Sequence, residues 1–163
     1  QWFFKAGHPE LDIVYGYDAE RKKATVTVSQ KQSPEDGVPA VFQLPVKIDV
    51  YTSLEPTSHE VWVNQRVQKF EFDVNTKPML INFDSDKALL CVKTENKTSE
   101  EYIFQYENGK NYFDRREALM ALSFDTTDIA QPVYVAALKD VTYANRIQVQ
   151  TFVIHLNTSH LNL

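Results

Sequence analysis

The pair His59-Glu60, in the stretch TSHEVWVN at residues 57–64, has the residue types that come nearest to a metal site. A zinc-binding H-E-x-x-H helix needs two histidines four residues apart on one helical face, with the glutamate beside the metal as general base. Val63 stands where the second histidine would be. Val61 and Val63 alternate with polar neighbours at the two-residue period of a strand, so His59 and Glu60 are expected on opposite faces. The sequence therefore predicts a strand here and no metal site.

Other residues whose types could bind a metal ion or a ligand each have a simpler structural interpretation. Asp84 and Asp86 have a spacing found in calcium loops, but no terminal glutamate follows, so a hairpin turn is expected. Arg115 and Arg116 have the donors to grip a carboxylate, and the charged side of a helix explains them more simply. Trp62 is the one aromatic side chain predicted to be exposed on a strand. We expect no catalytic and no metal-ligating residue in this chain.

The composition is that of a globular domain and argues against several other classes of protein. The chain has 163 residues, of which 43% are hydrophobic and 24% charged, as in ordinary globular domains. A net charge of −5 argues against a nucleic-acid partner, and no apolar stretch approaches the ~20 residues of a membrane span. The single cysteine, Cys91, excludes an internal disulfide. Because the chain opens at Gln1 we interpret it as a piece of a longer protein, with periplasmic and cytoplasmic locations both open.

Residues 1–95 are predicted to be a β-sandwich domain that includes an N-terminal linker. The clearest strand is FQLPVKIDV, in which alternate residues from Phe42 to Val50 point inward while Gln43, Pro45, Lys47 and Asp49 point outward. The runs PMLINFD and KALLCVK are predicted as strands buried on both faces. Turn-rich breaks separate these runs. The pattern predicts a mainly β fold, a seven-stranded antiparallel sandwich of immunoglobulin-like type.

Residues 96–163 change to a helical period and are predicted to be a small α-helical segment. Ser99 is expected to be the N-cap of a helix that ends at Gly109, and Asp114 the N-cap of a second helix. Pro132 suits the first turn of a third helix, and YANRIQVQTFVIHL predicts a fourth. The expected apolar residues of the second and fourth helices are Ala118, Leu119, Leu122, Ile147, Phe152 and Leu156. The N-glycosylation sequons at Asn96 and Asn157 are too short a pattern to predict use.

The opening stretch QWFFKAGHPELDIVYGYD resembles the junction at which the catalytic domain of the aminopeptidase N family of zinc peptidases passes into its β-sandwich domain. The residues at the positions that this pattern expects are Trp2, Phe3, Gly7, Pro9, Leu11 and Ile13. Further along, NYFDRREAL resembles the start of that family's helical C-terminal domain. AALKDVTYANRIQVQ, with Asp140 in a turn and Arg146 in the next helix, is similar to a HEAT-type helical pair.

The resemblance implies a parent protein that removes N-terminal residues from peptides with a zinc ion held by two histidines and a glutamate. None of those ligands occurs in this chain, so zinc is expected in the parent and no cofactor here. The chain would be a non-catalytic segment that spaces and orients the helical domain. Its expected partners are the catalytic and helical domains of the same parent chain. The expected interdomain contact residues are Trp2, Phe3, Phe4, Gly7, His8 and Pro9.

Three alternatives stay open from the sequence. The chain could be a free-standing adhesion or carbohydrate-binding β-sandwich, which predicts exposed coplanar aromatic side chains. It could be a protein-interaction scaffold, because a HEAT-like unit without neighbours leaves an apolar face open. The parent could also lack activity, since a transcription-factor subunit associated with TATA-binding protein shares the architecture without the zinc site.

Overall fold

The chain divides into two compact units, Gln1–Lys97 and Thr98–Leu163. The computed structural model describes residues 5–125, 128–142 and 144–149. The first unit is built from strands and the second from helices. The expected fold class, mainly β with α, is therefore confirmed.

The predicted number of seven strands is confirmed for the part of the chain that the structure describes. They form a four-stranded sheet in the order β5-β2-β1-β7 and a three-stranded sheet in the order β4-β3-β6. The strands are β1 (Glu10–Asp18), β2 (Lys23–Gln30), β3 (Leu44–Tyr51), β4 (Thr57–Val63), β5 (Val67–Asp73), β6 (Leu80–Phe83) and β7 (Val92–Glu95).

The prediction of a wholly antiparallel sandwich is wrong at one strand pair. β1 pairs with β7 in parallel, from Glu10 opposite Val92 to Ile13 opposite Glu95. The other four pairings are antiparallel. The exception arises because β6 lies in the other sheet, so the chain crosses between the sheets after β6 and returns beside β1 in the same direction.

One hydrophobic core takes side chains from both sheets. In β3 the expected alternation is confirmed, since the residues predicted to point inward, from Phe42 to Val50, are all at most 3% exposed. β1 and β2 contribute the matching face from the four-stranded sheet, with Ile13 and Val26 fully buried. Burial of such apolar surface supplies the main driving force for packing the two sheets. The core members from the strands and the segments beside them are Leu11, Ile13, Ala24, Val26, Val28, Phe42, Leu44, Val46, Ile48, Val50, Val63, Phe72, Ile81 and Phe83.

Two predictions about burial in the sandwich are wrong. Asp49, expected to point outward, is 3% exposed, and its carboxylate accepts a hydrogen bond of 2.5 Å from the Ser58 hydroxyl on β4. The run KALLCVK is not a strand buried on both faces: Leu90 is 79% exposed and the strand begins only at Val92. This run is the crossover between the sheets, so most of it has no strand partner to cover it.

In its described part, the helical unit has the helices α1 (Ser99–Asn108), α2 (Tyr112–Leu122) and α3 (Gln131–Ala137), a short 3-10 turn at Asp128–Ala130 and a further helical stretch at 144–149. Each of the first two helices begins at a capping box, in which the cap side chain and the third helical residue bond each other's backbone N–H groups. The caps are Thr98 and Asn111, so the predicted caps Ser99 and Asp114 are wrong; Asp114 is the third helical residue of its box.

The helical unit has its own apolar core. Ala118, Leu119 and Leu122 are at most 1% exposed, as the sequence predicts, and Pro132 lies in the first turn of α3. The predicted role of Ile147 is wrong, because its side chain is 43% exposed, and Val149 is the residue of 144–149 that reaches the core. The predictions for Phe152 and Leu156 lie outside the described residues.

Candidate functional site

The His59-Glu60 pair lies on β4, as the strand period predicts. His59 turns inward and stacks on Phe72 with ring centroids 4.3 Å apart, whereas Glu60 is exposed on the other face. Val63, in the place of a second histidine, is fully buried in the core. Within 5–125, 128–142 and 144–149, no three His, Cys, Asp or Glu side chains are grouped so as to hold a metal ion. The described residues therefore offer no site for a zinc ion, which the resemblance assigns to the parent.

The segment expected to contact other domains is described from Lys5 onward, and its first aromatic residues, Trp2, Phe3 and Phe4, lie outside the described residues. Gly7 has a φ of +75°, a left-handed conformation that favours glycine. A Cβ there would also come within 2.8 Å of Cγ2 of Val38. His8 is exposed, while Pro9 is buried and its carbonyl accepts a hydrogen bond of 3.0 Å from the Val92 amide. The segment is therefore tied to the sheet at Pro9 and bends at Gly7.

Beside this bend lies an open depression of about 290 Å³. Gly7 and His8 form one side and the loop after β2, including Glu35 and Asp36, forms the other. The carboxylates here are exposed, so water solvates them. The depression therefore offers acceptors to a cationic or hydrogen-bonding neighbour.

The Asp84-Asp86 pair forms a tight turn rather than a calcium loop. The two carboxylate oxygens of Asp84 accept hydrogen bonds from the Ala88 amide at 2.9 Å and the Leu89 amide at 3.1 Å. Asp86 instead faces Lys47, with Oδ1 3.1 Å from Nζ. The turn is not the expected hairpin, because β6 and β7 belong to different sheets.

A buried charged cluster that the sequence interpretation missed lies at the end of β7. The Glu95 carboxylate is 3.0 Å from Nζ of Lys97 and 3.5 Å from Nζ of Lys93, and it accepts a hydrogen bond from the Tyr15 hydroxyl. Burial alone would raise the pKa of Glu95, but the two ammonium groups and the tyrosine lower it to about 2. Burial lowers the pKa of Lys97, and Glu95 partly offsets that effect. Charges of alternating sign at every second residue of KTENK are the signal that could have revealed this cluster.

A second buried carboxylate, Asp140, lies in the helical unit. It accepts hydrogen bonds from Arg115 at 2.9 Å, the Tyr106 hydroxyl at 3.1 Å and the Thr142 amide at 2.7 Å. Burial opposes the charge, yet these donors lower the pKa of Asp140 to about 2. Arg115 thus does bind a carboxylate, but the carboxylate belongs to this chain. Arg116 is exposed.

Trp62 is 57% exposed on β4, as predicted, opposite the exposed Pro45 of β3.

Asn96, the asparagine of the first sequon, makes two hydrogen bonds to the backbone of Tyr15 through its side-chain amide: its oxygen accepts from the Tyr15 N–H and its nitrogen donates to the Tyr15 carbonyl. The described helices include none that is long and apolar enough to cross a membrane.

No protein-family model matches the chain. A sequence relative is aminopeptidase N of Escherichia coli strain K12, which is 27% identical over 140 residues. The aligned region covers 75% of this chain and only 15% of that enzyme.

Among solved structures, an aminopeptidase A of Legionella pneumophila, crystallised in complex with aspartic acid, has the same fold. It superposes with a TM-score of 0.68 at 17% identity, over 86% of this chain and 18% of that one. The chain therefore spans less than a fifth of the length of each relative. The sequence match confirms the resemblance stated above: the chain is similar to a limited part of aminopeptidase N, and the structural match shows that it has the fold of a limited part of the aminopeptidase A chain.

Proposed function

We propose that the chain is a non-catalytic, structural segment of a zinc aminopeptidase that removes N-terminal residues from peptides. The observation that carries this proposal is that the matches cover most of this chain but only a small part of each matching enzyme. Two aminopeptidases align with 75% and 86% of this chain, while the chain accounts for 15% and 18% of theirs. A segment of that size leaves room elsewhere in a parent protein for a catalytic domain.

The architecture supports the finer parts of the proposal. A four-stranded and a three-stranded sheet that share one core suit an immunoglobulin-like sandwich. In the helical unit, Arg146 donates a hydrogen bond of 2.6 Å to the Asp140 carbonyl, which ties a turn to the helical residues that follow. This contact suits the HEAT-like pair that would begin a helical C-terminal domain.

The proposed role is to hold other domains of the same chain at a fixed distance. The exposure of residues 5–8 and the bend at Gly7 support this role, because exposed residues of the sandwich are free to meet a neighbouring domain. Trp2, Phe3 and Phe4 would supply apolar contact area there. In this proposal the zinc ligands and the peptide-binding groups belong to the parent's catalytic domain.

Activity and metal content of the chain and of its parent test the proposal. Each is purified and assayed for zinc by elemental analysis and for hydrolysis of aminoacyl-p-nitroanilides. We expect one zinc and chelator-sensitive turnover from the parent, and neither from the 163-residue chain. Turnover from the isolated chain, or a parent without an H-E-x-x-H motif, would overturn the proposal.

A further inference from the structure

Tyr15, in the middle of β1, is contacted by three consecutive residues at the end of the sandwich unit. The first contact is with Asn96. The Tyr15 amide donates to Oδ1 of Asn96 at 2.7 Å, and Nδ2 of Asn96 donates to the Tyr15 carbonyl at 3.1 Å. The ladder between β1 and β7 ends at Ile13 opposite Glu95. The carboxamide has the donor and acceptor of a peptide group, so it extends the ladder beyond the last paired residues.

The side chain of Tyr15 meets the residues on either side of Asn96. Its hydroxyl donates to the Glu95 carboxylate, and Nζ of Lys97 lies 5.4 Å from its ring centroid. Lys97 and Glu95 pair with each other at 3.0 Å, and their side chains are only 1% and 6% exposed. Hydrogen bonds to an ionised group that is buried away from water are stronger than those between neutral groups.

β7 needs such support because its own pairing is weak. It has four residues, and among the described strands its one partner is β1, in the parallel arrangement, which is slightly less stable per residue. Its outward residue Val92 is 56% exposed, so β7 contributes little to the core. A short edge strand with these properties would open readily without another attachment.

We propose that Tyr15, Glu95, Asn96 and Lys97 form a latch that keeps β7 in the sheet and fixes the backbone of residues 95–97. These are the last residues before Thr98, the cap at which α1 begins. Tyr15 acts as a positioning residue, and release of the latch opens β7 while the rest of the sandwich stays folded. The inference does not depend on the proposed peptidase function, because each contact lies within this chain.

Hydrogen–deuterium exchange of the full 163-residue chain tests the latch. Tyr15→Phe removes one hydroxyl and keeps the ring. Tyr17→Phe is the matched control, since Tyr17 lies two residues further on the same strand face and is in none of these contacts. We expect amides of residues 92–97 to exchange about tenfold faster in the Tyr15 variant, the effect of losing one hydrogen bond to a charged group. In the Tyr15 variant, the exchange rates of the β3 amides should equal those of the wild type. In the Tyr17→Phe variant, the exchange rates of all amides should do so.

Asn96→Ala isolates the other half of the latch, because it removes the ladder extension and keeps the Glu95–Lys97 pair. We expect faster exchange at Tyr15 and at residues 95–97, with β3 again unchanged. The proposal is overturned if residues 92–97 change no more than β3 in both variants. It is equally overturned if Tyr15→Phe fails to fold or loosens all strands alike, since the hydroxyl would then support the whole core.

Discussion

Nε of Arg115 on α2 lies 2.9 Å from Oδ2 of Asp140, which follows α3 in the chain. The Asp140 side chain is 3% exposed and that of Arg115 is 19% exposed, so the pair is largely removed from water. Nη2 of Arg115 also donates to the Thr142 hydroxyl at 3.1 Å. The pair joins two parts of the helical unit that are 25 positions apart.

Arg115→Met should therefore destabilise the helical unit by about 3 kcal/mol, because it leaves the buried Asp140 carboxylate without its cation. Methionine keeps an unbranched apolar stem, which limits the loss of packing. Urea unfolding followed by far-UV circular dichroism measures the change. Arg116→Met, the same substitution on the exposed neighbour, should stay within about 0.5 kcal/mol of the wild type. Equal effects of the two substitutions would contradict the structural role of Arg115.

Acid should destabilise the chain through Glu95 and Asp140, two buried carboxylates whose pKa is lowered by folding. The pKa of Glu95 falls from its ordinary 4.5 to about 2, and that of Asp140 from 3.8 to about 2. A carboxylate whose pKa is lowered by folding stabilises the folded state above its unfolded pKa. That contribution is lost as the pH falls from about 4.5 towards 2, because the unfolded chain takes up protons first.

Calorimetric melting temperatures between pH 7 and pH 2 measure this loss. Glu95→Gln should lower the melting temperature at pH 7 and flatten its fall below pH 4.5, because the variant has no proton to take up at this position. Asp73→Asn is the control: it also removes one carboxylate, but from a side chain that is 87% exposed, so it should change the melting temperature at pH 7 little. A Glu95→Gln profile as steep as the wild type would show that the acid sensitivity arises elsewhere.

The strand period was sufficient to predict which side chains of β3 and β4 form the core. It placed Val46 and Ile48 inside and Trp62 outside, because a side-chain period of two depends only on the chain itself. Asp49 was missed since its burial depends on Ser58 of β4, a neighbour that no local pattern identifies.

The sequence predicts the starts of the first two helices but not their capping boxes, and its predicted N-caps lie one and three residues after the observed ones. Thr98 with Glu101, and Asn111 with Asp114, have the required three-residue spacing, but Ser99 and Asp114 are themselves good cap residues. Contacts such as Tyr15 with Glu95, 80 positions apart, could not be predicted, because periodicity does not identify which strands become neighbours.

Gly7→Ala should destabilise the sandwich unit by about 2 kcal/mol. The φ of +75° is unfavourable for alanine, and the new methyl group would lie 2.8 Å from Cγ2 of Val38. The measurement is the free energy of unfolding in urea. Gly37→Ala separates the two causes, because Gly37 has a φ of +83° and, among the described residues, its added methyl would approach Ala6 alone, at 4.0 Å. We expect about 1 kcal/mol for Gly37→Ala, the cost of the backbone conformation alone. If the two substitutions lower the free energy of unfolding by the same amount, the contact with Val38 does not contribute to the effect of Gly7→Ala.

Trp2→Ala tests the proposed contact with another domain. If Trp2 packs against a neighbouring domain, the substitution should lower the melting temperature of the full-length parent and leave that of the isolated chain nearly unchanged, because only the parent buries the indole ring. Trp62→Ala is the matched control, since Trp62 is 57% exposed and should have a small effect in both proteins. Equal destabilisation of the parent and the isolated chain by Trp2→Ala would instead place Trp2 in the core of the sandwich, and the segment around Gly7 and His8 would lose its proposed role as an interdomain contact.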